Sequence, residues 1–104
     1  MKGVGHRVAI TGLGVVAPCG IGKDAYWNGL MGPGITNSRS LEISDWDPQP
    51  YFDSPKDARR ADRVEQLALA AASEAFAQAG TLNVDPSRFG TIFATGIGGL
   101  HTLE

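Results

Sequence analysis

Residues 55–80 read PKDARRADRVEQLALAAASEAFAQAG, and they form the longest regular pattern in the chain. Ser54 can cap the amino end of a helix by accepting a backbone N–H, and Pro55 suits the first helical position. Asp57 stands where a capping box has its acidic residue, and Gly80 provides a helix stop. The sequence therefore predicts one helix from Pro55 to Gly80.

One face of this predicted helix consists of small apolar residues that recur at intervals of three and four, which places them on a buried face. Leu69 and Phe76 widen the face along one side. The face comprises Val64, Leu67, Ala68, Ala71, Ala72, Ala75 and Ala79. Because most of these residues are alanine, we expect another backbone to approach the helix closely.

A stripe of basic residues lies on the first half of the same predicted helix. Its members are Lys56, Arg59, Arg60 and Arg63. Their spacing of i, i+3, i+4 and i+7 projects them from about one face, which is most often simply solvated. Cations near a helix amino end are mildly unfavourable, however, because that end carries partial positive charge. A solvated face and a docking surface for an anionic partner both remain open.

The composition is that of an ordinary globular protein, with 104 residues, 42% hydrophobic and 19% charged. A net charge of −2 excludes a generally basic nucleic-acid binder. The single cysteine, Cys19, excludes an intramolecular disulfide and fits a reducing compartment. No apolar run approaches the roughly 20 residues of a membrane span, and no signal peptide is evident. We expect a cytoplasmic protein without membrane or nucleic-acid partners.

Two apolar segments, 7–17 and 89–95, have the character of strands buried on both faces of a sheet. A short helix is predicted over 23–31, and the loop at 35–53 carries aromatic residues that we expect to pin it to the body. Strands joined by helices imply a parallel crossover, and parallel sheets need several covered strands. We therefore expect the amino-terminal piece of a larger α/β protein.

Two glycine-rich segments invite ligand-binding interpretations. Residues 12–17, GLGVVA, match a dinucleotide fingerprint, but Pro18 argues against the helix that this fingerprint must open. Close backbone packing or a bend explains these glycines better. Residues 96–99, GIGG, lack the lysine of a P-loop, so we predict a turn at a strand end, where Ile97 could line a pocket.

No catalytic or metal-binding set is evident in the chain. Nothing in the spacing brings His6 or His101 to Cys19 as an activating base. Two scattered histidines make no metal site. We predict a packing role for Cys19, surface or structural roles for the histidines, and no cofactor.

Four segments in order resemble the start of a β-ketoacyl-(acyl-carrier-protein) synthase, a ketosynthase of the thiolase superfamily. They are RVAITGLGVVAP at 7–18, YWNGL at 26–30, ARRADRVEQLALAAA at 58–72 and ATGIGGL at 94–100. The resemblance covers nearly the whole chain, although residues 35–51 are shorter than the family pattern. It identifies residues 1–104 as an incomplete amino-terminal segment of the ketosynthase N-terminal domain.

The resemblance implies a thiolase-like layered α/β fold, of which this chain is the first part of the amino-terminal half, in a cytoplasmic homodimer. It implies decarboxylative condensation of an acyl thioester with malonyl-loaded acyl carrier protein, in fatty acid or polyketide synthesis. A cysteine holds the acyl group while two histidines and an oxyanion hole stabilise developing charge. In the family these residues lie beyond the position of Glu104, so we expect no catalytic residue in this chain.

Two sites carry over by position from the family. Lys56, Arg59 and Arg60 match its basic surface for the acidic acyl carrier protein, which favours the docking interpretation of the stripe. Gly96 and Ile97 match a loop near the dimer interface, where the residue at Ile97 lines the acyl pocket.

Two alternatives to a catalytic subunit share these features. A non-catalytic partner subunit of the chain-length-factor type would differ only by lacking the nucleophile. A self-sufficient carrier-binding module would leave the two predicted parallel strands without neighbours.

Overall fold

The structure is a computed structural model that describes residues 5–34, 41–43 and 45–98. Its helices are α1 (Lys23–Met31), α2 (Pro55–Arg60) and α3 (Arg63–Ala79), with 3-10 turns at Gln49–Tyr51 and Pro86–Arg88. Strands β1 (Val16–Ala17) and β2 (Gly20–Ile21) form an antiparallel hairpin in which Val16 pairs with Ile21. The bounds of α1 are those that the sequence predicts.

The prediction of a single helix over 55–80 is wrong in one respect, because the structure has two helices there. Ala61 and Asp62 have extended backbones, with ψ of 142° and 155°. Asp62 stands at the N-cap position of α3, which favours aspartate, and its carbonyl accepts a hydrogen bond from the Gln66 N–H at 3.0 Å. The outer ends are confirmed: Ser54 Oγ accepts from the Asp57 N–H at 3.2 Å, and Gly80 ends α3 with φ of +76°.

The extended segment 11–15 lies directly on α3. A Cβ added to Gly12 would lie 2.0 Å from the carbonyl oxygen of Ala75, and one on Gly14 would lie 1.7 Å from that of Ala71. Two residues of extended chain and four residues of helix each advance about 6–7 Å. Gly12 and Gly14, two residues apart, therefore lie against Ala75 and Ala71, which are one helical turn apart. The predicted close approach is confirmed, and no helix opens at these glycines as a dinucleotide site requires.

Side chains of α3 also supply hydrogen-bond acceptors to this segment. The Leu13 N–H donates to Gln78 Oε1 at 2.8 Å, and the Val15 N–H donates to Glu74 Oε1 at 3.0 Å. The other oxygen of Glu74 accepts from the Lys23 N–H, at the amino end of α1, at 2.7 Å. These hydrogen bonds to Glu74 lower the pKa of its carboxyl below the ordinary value of 4.5. The bond from the Lys23 N–H has the largest effect, and the bond from the Val15 N–H has the next largest. Glu74 therefore joins α3, the extended segment and α1.

The two long strands are not formed as predicted. Of the first, only Val16–Ala17 pairs, and residues 89–95 form no strand with any described residue. Val8 and Ile92 are 89% and 97% exposed, so the described residues do not bury these segments. A strand completes its backbone hydrogen bonds with a neighbour, and the described segments provide none at these positions.

Few side chains are buried in the described part of the chain. Ala58 and Ala70 are each 2% exposed and form the buried core there. Ala70 lies outside the predicted apolar face, and it lines a hollow together with Val15 and Tyr51. Phe76 is half exposed and stacks on Phe89, with ring centroids 5.7 Å apart. Backbone contact, more than large buried side chains, thus holds these elements together.

We expect Gly14→Ala to destabilise the full chain by about 3 kcal/mol, because the added methyl group would overlap a backbone carbonyl that no side-chain rotation can move. Gly5→Ala is the matched control, since its added atom meets nothing within 4 Å. That control should change the free energy of unfolding by less than about 0.5 kcal/mol. Urea denaturation measures both, and equal losses would contradict the close packing.

We expect Glu74→Gln to lower the free energy of unfolding by about 1 kcal/mol at neutral pH, a value reduced for solvent screening. The folded-state pKa of Glu74 is lowered, so its stabilising effect is present above 4.5 and is lost as the pH falls through the folded-state pKa. The difference between wild type and variant should therefore shrink on acidification. Gln78→Ala removes a neutral acceptor, and its destabilisation should not vary with pH. Denaturation over a pH series would contradict the assignment if the Glu74→Gln difference stayed constant.

Candidate functional site

Helix α2 presents three exposed cations at positions i, i+3 and i+4. These are Lys56, Arg59 and Arg60, which we call the basic face. The other side of α2 packs against the 3-10 turn at Gln49–Tyr51, where Ala58 is buried. No side-chain hydrogen bond or ion pair joins the basic face to another described residue. The structure thus places the three predicted docking residues together and leaves their charged groups accessible.

The end of α2 at Arg60 changes the electrostatic interpretation of the basic face. In a helix over 55–80, Arg59 and Arg60 would stand near the unfavourable amino end. In the structure they lie in the last turn of α2, where cations interact favourably with the helix carbonyl groups. The expectation that local stability disfavours these arginines is therefore wrong, and only Lys56 lies near the amino end.

Arg63 does not belong to the basic face, although its spacing predicts that it should. The extended backbone at 61–62 separates it from α2. Its guanidinium lies over the Trp46 ring, 5.2 Å from the centroid. Nη1 donates to Gln66 Oε1 at 3.0 Å, and Nη2 donates to the carbonyl oxygen of Ile43. Arg63 is thus engaged within the protein, a role that the sequence analysis missed.

The loop before α2 is ordered by its aromatic residues where the structure describes it. Trp46 and Tyr51 have ring centroids 6.1 Å apart, and Trp46 also contacts Arg63. This confirms the prediction of a pinned loop for residues 45–53, whereas residues 35–40 and 44 lie outside the described residues. Gln66 Nε2 donates to the carbonyl oxygen of Ala58 at 2.8 Å, so α3 is tied to α2 as well.

The second predicted site is the glycine turn at 95–98. The Gly98 N–H donates to Thr95 Oγ1 at 3.2 Å, and Gly98 has φ of +72°. The Ile97 side chain is 71% exposed, and a Cβ on Gly96 would meet nothing within 4 Å. The chain bends at 96–98 and Ile97 is exposed, but no hydrogen bond connects this bend to α2 among the described residues. Gly99 lies outside the described residues.

Cys19 is a free, half-buried cysteine at the turn of the β1–β2 hairpin. Helix α1 packs closely on it, since a Cβ on Gly29 would lie 2.1 Å from the Cys19 carbonyl oxygen. This agrees with a packing role. His101 lies outside the described residues.

No group of three or more His, Cys, Asp or Glu side chains among the described residues could hold a metal ion. No helix in the described ranges is both long and apolar enough to cross a membrane.

Comparison with known proteins places the chain in a family. Residues 33–104 match the family described as "Beta-ketoacyl synthase, N-terminal domain". A tetracenomycin polyketide synthase ketoacyl synthase alpha subunit from Streptomyces glaucescens is 37% identical over 88% of this chain and 25% of its own length. The 3-oxoacyl-(acyl-carrier-protein) synthase 2 of Synechocystis sp. is 36% identical over 94% of this chain and 27% of its own length.

The chain thus spans about a quarter of the length of these curated relatives. No solved structure matched it. The family match covers more than half of the chain, and it contains the later two of the four segments noted in the sequence, at 58–72 and 94–100. This chain belongs to the β-ketoacyl synthase family, and its residues 33–104 match the N-terminal domain of that family.

Proposed function

We propose that the whole protein is a 3-oxoacyl-(acyl-carrier-protein) synthase, an acyltransferase of fatty acid or polyketide synthesis. The family match over residues 33–104 is the observation that carries this proposal. The two relatives are themselves described as a ketoacyl synthase subunit and a 3-oxoacyl synthase. Family membership implies a thiolase-like fold, and we further propose a cytoplasmic homodimer.

The proposed reaction has two covalent stages. A cysteine thiolate attacks the acyl thioester of the loaded carrier protein, forms an enzyme thioester and releases the carrier thiol. The malonyl thioester then loses CO₂, and the resulting carbanion attacks the enzyme thioester and frees the cysteine. Histidines and backbone N–H donors stabilise the charge that develops on oxygen. We assign these groups to the part of the protein outside this segment, because the family resemblance places them beyond the position of Glu104.

Acyl transfer to the whole protein, of which these residues are a segment, tests the catalytic proposal directly. We expect the intact mass to rise by one acyl group after incubation with acyl-loaded carrier protein, and hydroxylamine to remove that group as it does a thioester. Addition of malonyl-loaded carrier protein should then release CO₂ and the 3-oxoacyl product. A full chain that accepts no acyl group would contradict the proposal and favour a non-catalytic partner subunit.

Within this segment, we assign carrier-protein docking to the basic face. Lys56, Arg59 and Arg60 share one side of α2, are exposed, and meet no acidic side chain of a described residue. An acidic carrier protein would complement them. Exposed charges of this kind mainly speed association, and their effect weakens as salt screens them.

We expect the double variant Arg59→Glu, Arg60→Glu to lower kcat/KM for carrier-protein substrates by about tenfold or more at low salt, because it reverses two charges that attract the partner. Activity on small thioester substrates should stay within about twofold of wild type, since they need no docking surface. Arg88→Glu, a charge reversal on the 3-10 turn outside α2, is the control. Equal losses on both substrate types, or an equal effect of Arg88→Glu, would contradict docking at α2.

We also propose that Gly96 and Ile97 border the acyl pocket of the assembled enzyme. Exposure of the Ile97 side chain supports this, since a pocket-lining residue must be accessible to the acyl chain.

Ile97→Phe should shorten the longest acyl chain that the full enzyme extends, because the larger ring would fill part of the pocket. Ile97→Val, a smaller side chain of similar shape, is the control and should leave long chains accepted. Mass spectrometry of the products over a series of acyl primers measures the profile. An unchanged profile for Ile97→Phe would remove Ile97 from the pocket.

A further inference from the structure

We propose that Arg63 is a positioning residue for carrier-protein binding, which acts by fixing the orientation of α2 rather than by contacting the partner. This inference rests on the proposed docking at the basic face. Its basis is a connected set of contacts from Ile43, Trp46 and Tyr51, through Arg63 and Gln66 on α3, to the backbone of α2.

Helix α2 needs such support because it has only six residues. An isolated helix shorter than about 12–15 residues is marginal in water, so contacts with neighbouring elements determine whether and where α2 forms. The directions in which Lys56, Arg59 and Arg60 point depend on the same contacts. Any residue that anchors α2 therefore controls the geometry of the basic face.

Gln66 provides one of these anchors. Its Nε2 donates to the carbonyl oxygen of Ala58 at 2.8 Å. Ala58 lies within the last four residues of α2, whose carbonyl groups have no partner inside the helix. Gln66 thus satisfies an acceptor of α2 from the first turn of α3, across the extended residues at 61–62.

Arg63 holds Gln66 in the orientation that this bond requires. Arg63 Nη1 donates to Gln66 Oε1 at 3.0 Å, which directs the amide nitrogen of Gln66 to Ala58. The guanidinium is itself fixed by the Trp46 ring, 5.2 Å away, and by the carbonyl oxygen of Ile43. Trp46 contacts Tyr51, a member of the 3-10 turn on which α2 packs, so the contacts close into a ring.

A docking role and a positioning role place different requirements on the side chain of Arg63. A docking cation acts mainly through its charge, which lysine keeps. The observed contacts use two guanidinium nitrogens and a planar group over an aromatic ring, and lysine cannot reproduce that arrangement. Arg63→Lys therefore distinguishes a positioning role from a docking role.

The test measures binding of fluorescently labelled acyl carrier protein to the full enzyme by anisotropy, at several salt concentrations. We expect Arg63→Lys and Gln66→Ala each to weaken binding by about fivefold. The salt dependence of binding should stay that of wild type, because the charges of the basic face are intact. Arg88→Lys, a conservative change at an exposed arginine outside these contacts, should bind as wild type does.

Two further measurements exclude a simple folding defect. The kcat on a small thioester should be unchanged in Arg63→Lys and Gln66→Ala, while the KM for carrier-protein substrate rises. Amide hydrogen exchange in α2 should be faster in both variants than in wild type, because α2 loses an anchor. Wild-type binding by Arg63→Lys would overturn the inference, since charge alone would then suffice.

The Arg59→Glu, Arg60→Glu variant separates failure of the inference from failure of the proposed function. If that variant weakens carrier binding and Arg63→Lys does not, docking stands and the positioning role is wrong. If neither variant affects binding, docking at α2 is wrong, and the positioning role in carrier binding is wrong with it. Faster exchange in α2 of Arg63→Lys without weaker binding would limit Arg63 to a structural role and also overturn the inference.

Discussion

The close contact between the extended segment 11–15 and α3 is the constraint on which the described structure depends. Gly12 and Gly14 place the backbone against the carbonyl groups of Ala75 and Ala71, at a distance where no side chain fits. Such contact brings backbone N–H groups within reach of α3 side chains, so Gln78 and Glu74 accept hydrogen bonds that a neighbouring strand would otherwise accept. Close packing and hydrogen bonding therefore reinforce each other at the same interface.

The two ends of α3 have different tasks. Its carboxyl-terminal half holds the extended segment and, through Glu74, the amino end of α1. Its first turn contacts Ile43 and Trp46 through Arg63, and α2 through Gln66. One helix thus positions both the extended segment 11–15 and the surface to which docking is assigned. A shift of α3 would therefore move both.

Local signals in the sequence predicted the local features of the fold. The bounds of α1, the Ser54 cap and the stop at Gly80 depend on neighbouring residues alone, and the structure confirms them. The long strands depend on hydrogen-bonding partners elsewhere, which an apolar pattern cannot supply. The break at 61–62 contains neither glycine nor proline, and its one local signal is Asp62, a residue type favoured at an N-cap. That signal did not enter the prediction, so Arg63 was assigned to the wrong surface.

That break also explains how a basic face can exist on α2 without an evident cost to the fold. Because α2 ends at Arg60, Arg59 and Arg60 stand at the helix end where positive charge is favourable, and Ala58 buries the opposite side. The case for docking therefore rests on exposure, on the absence of a hydrogen bond or ion pair from these side chains to another described residue, and on position within the family. Local electrostatics favours the same two arginines that the docking proposal requires.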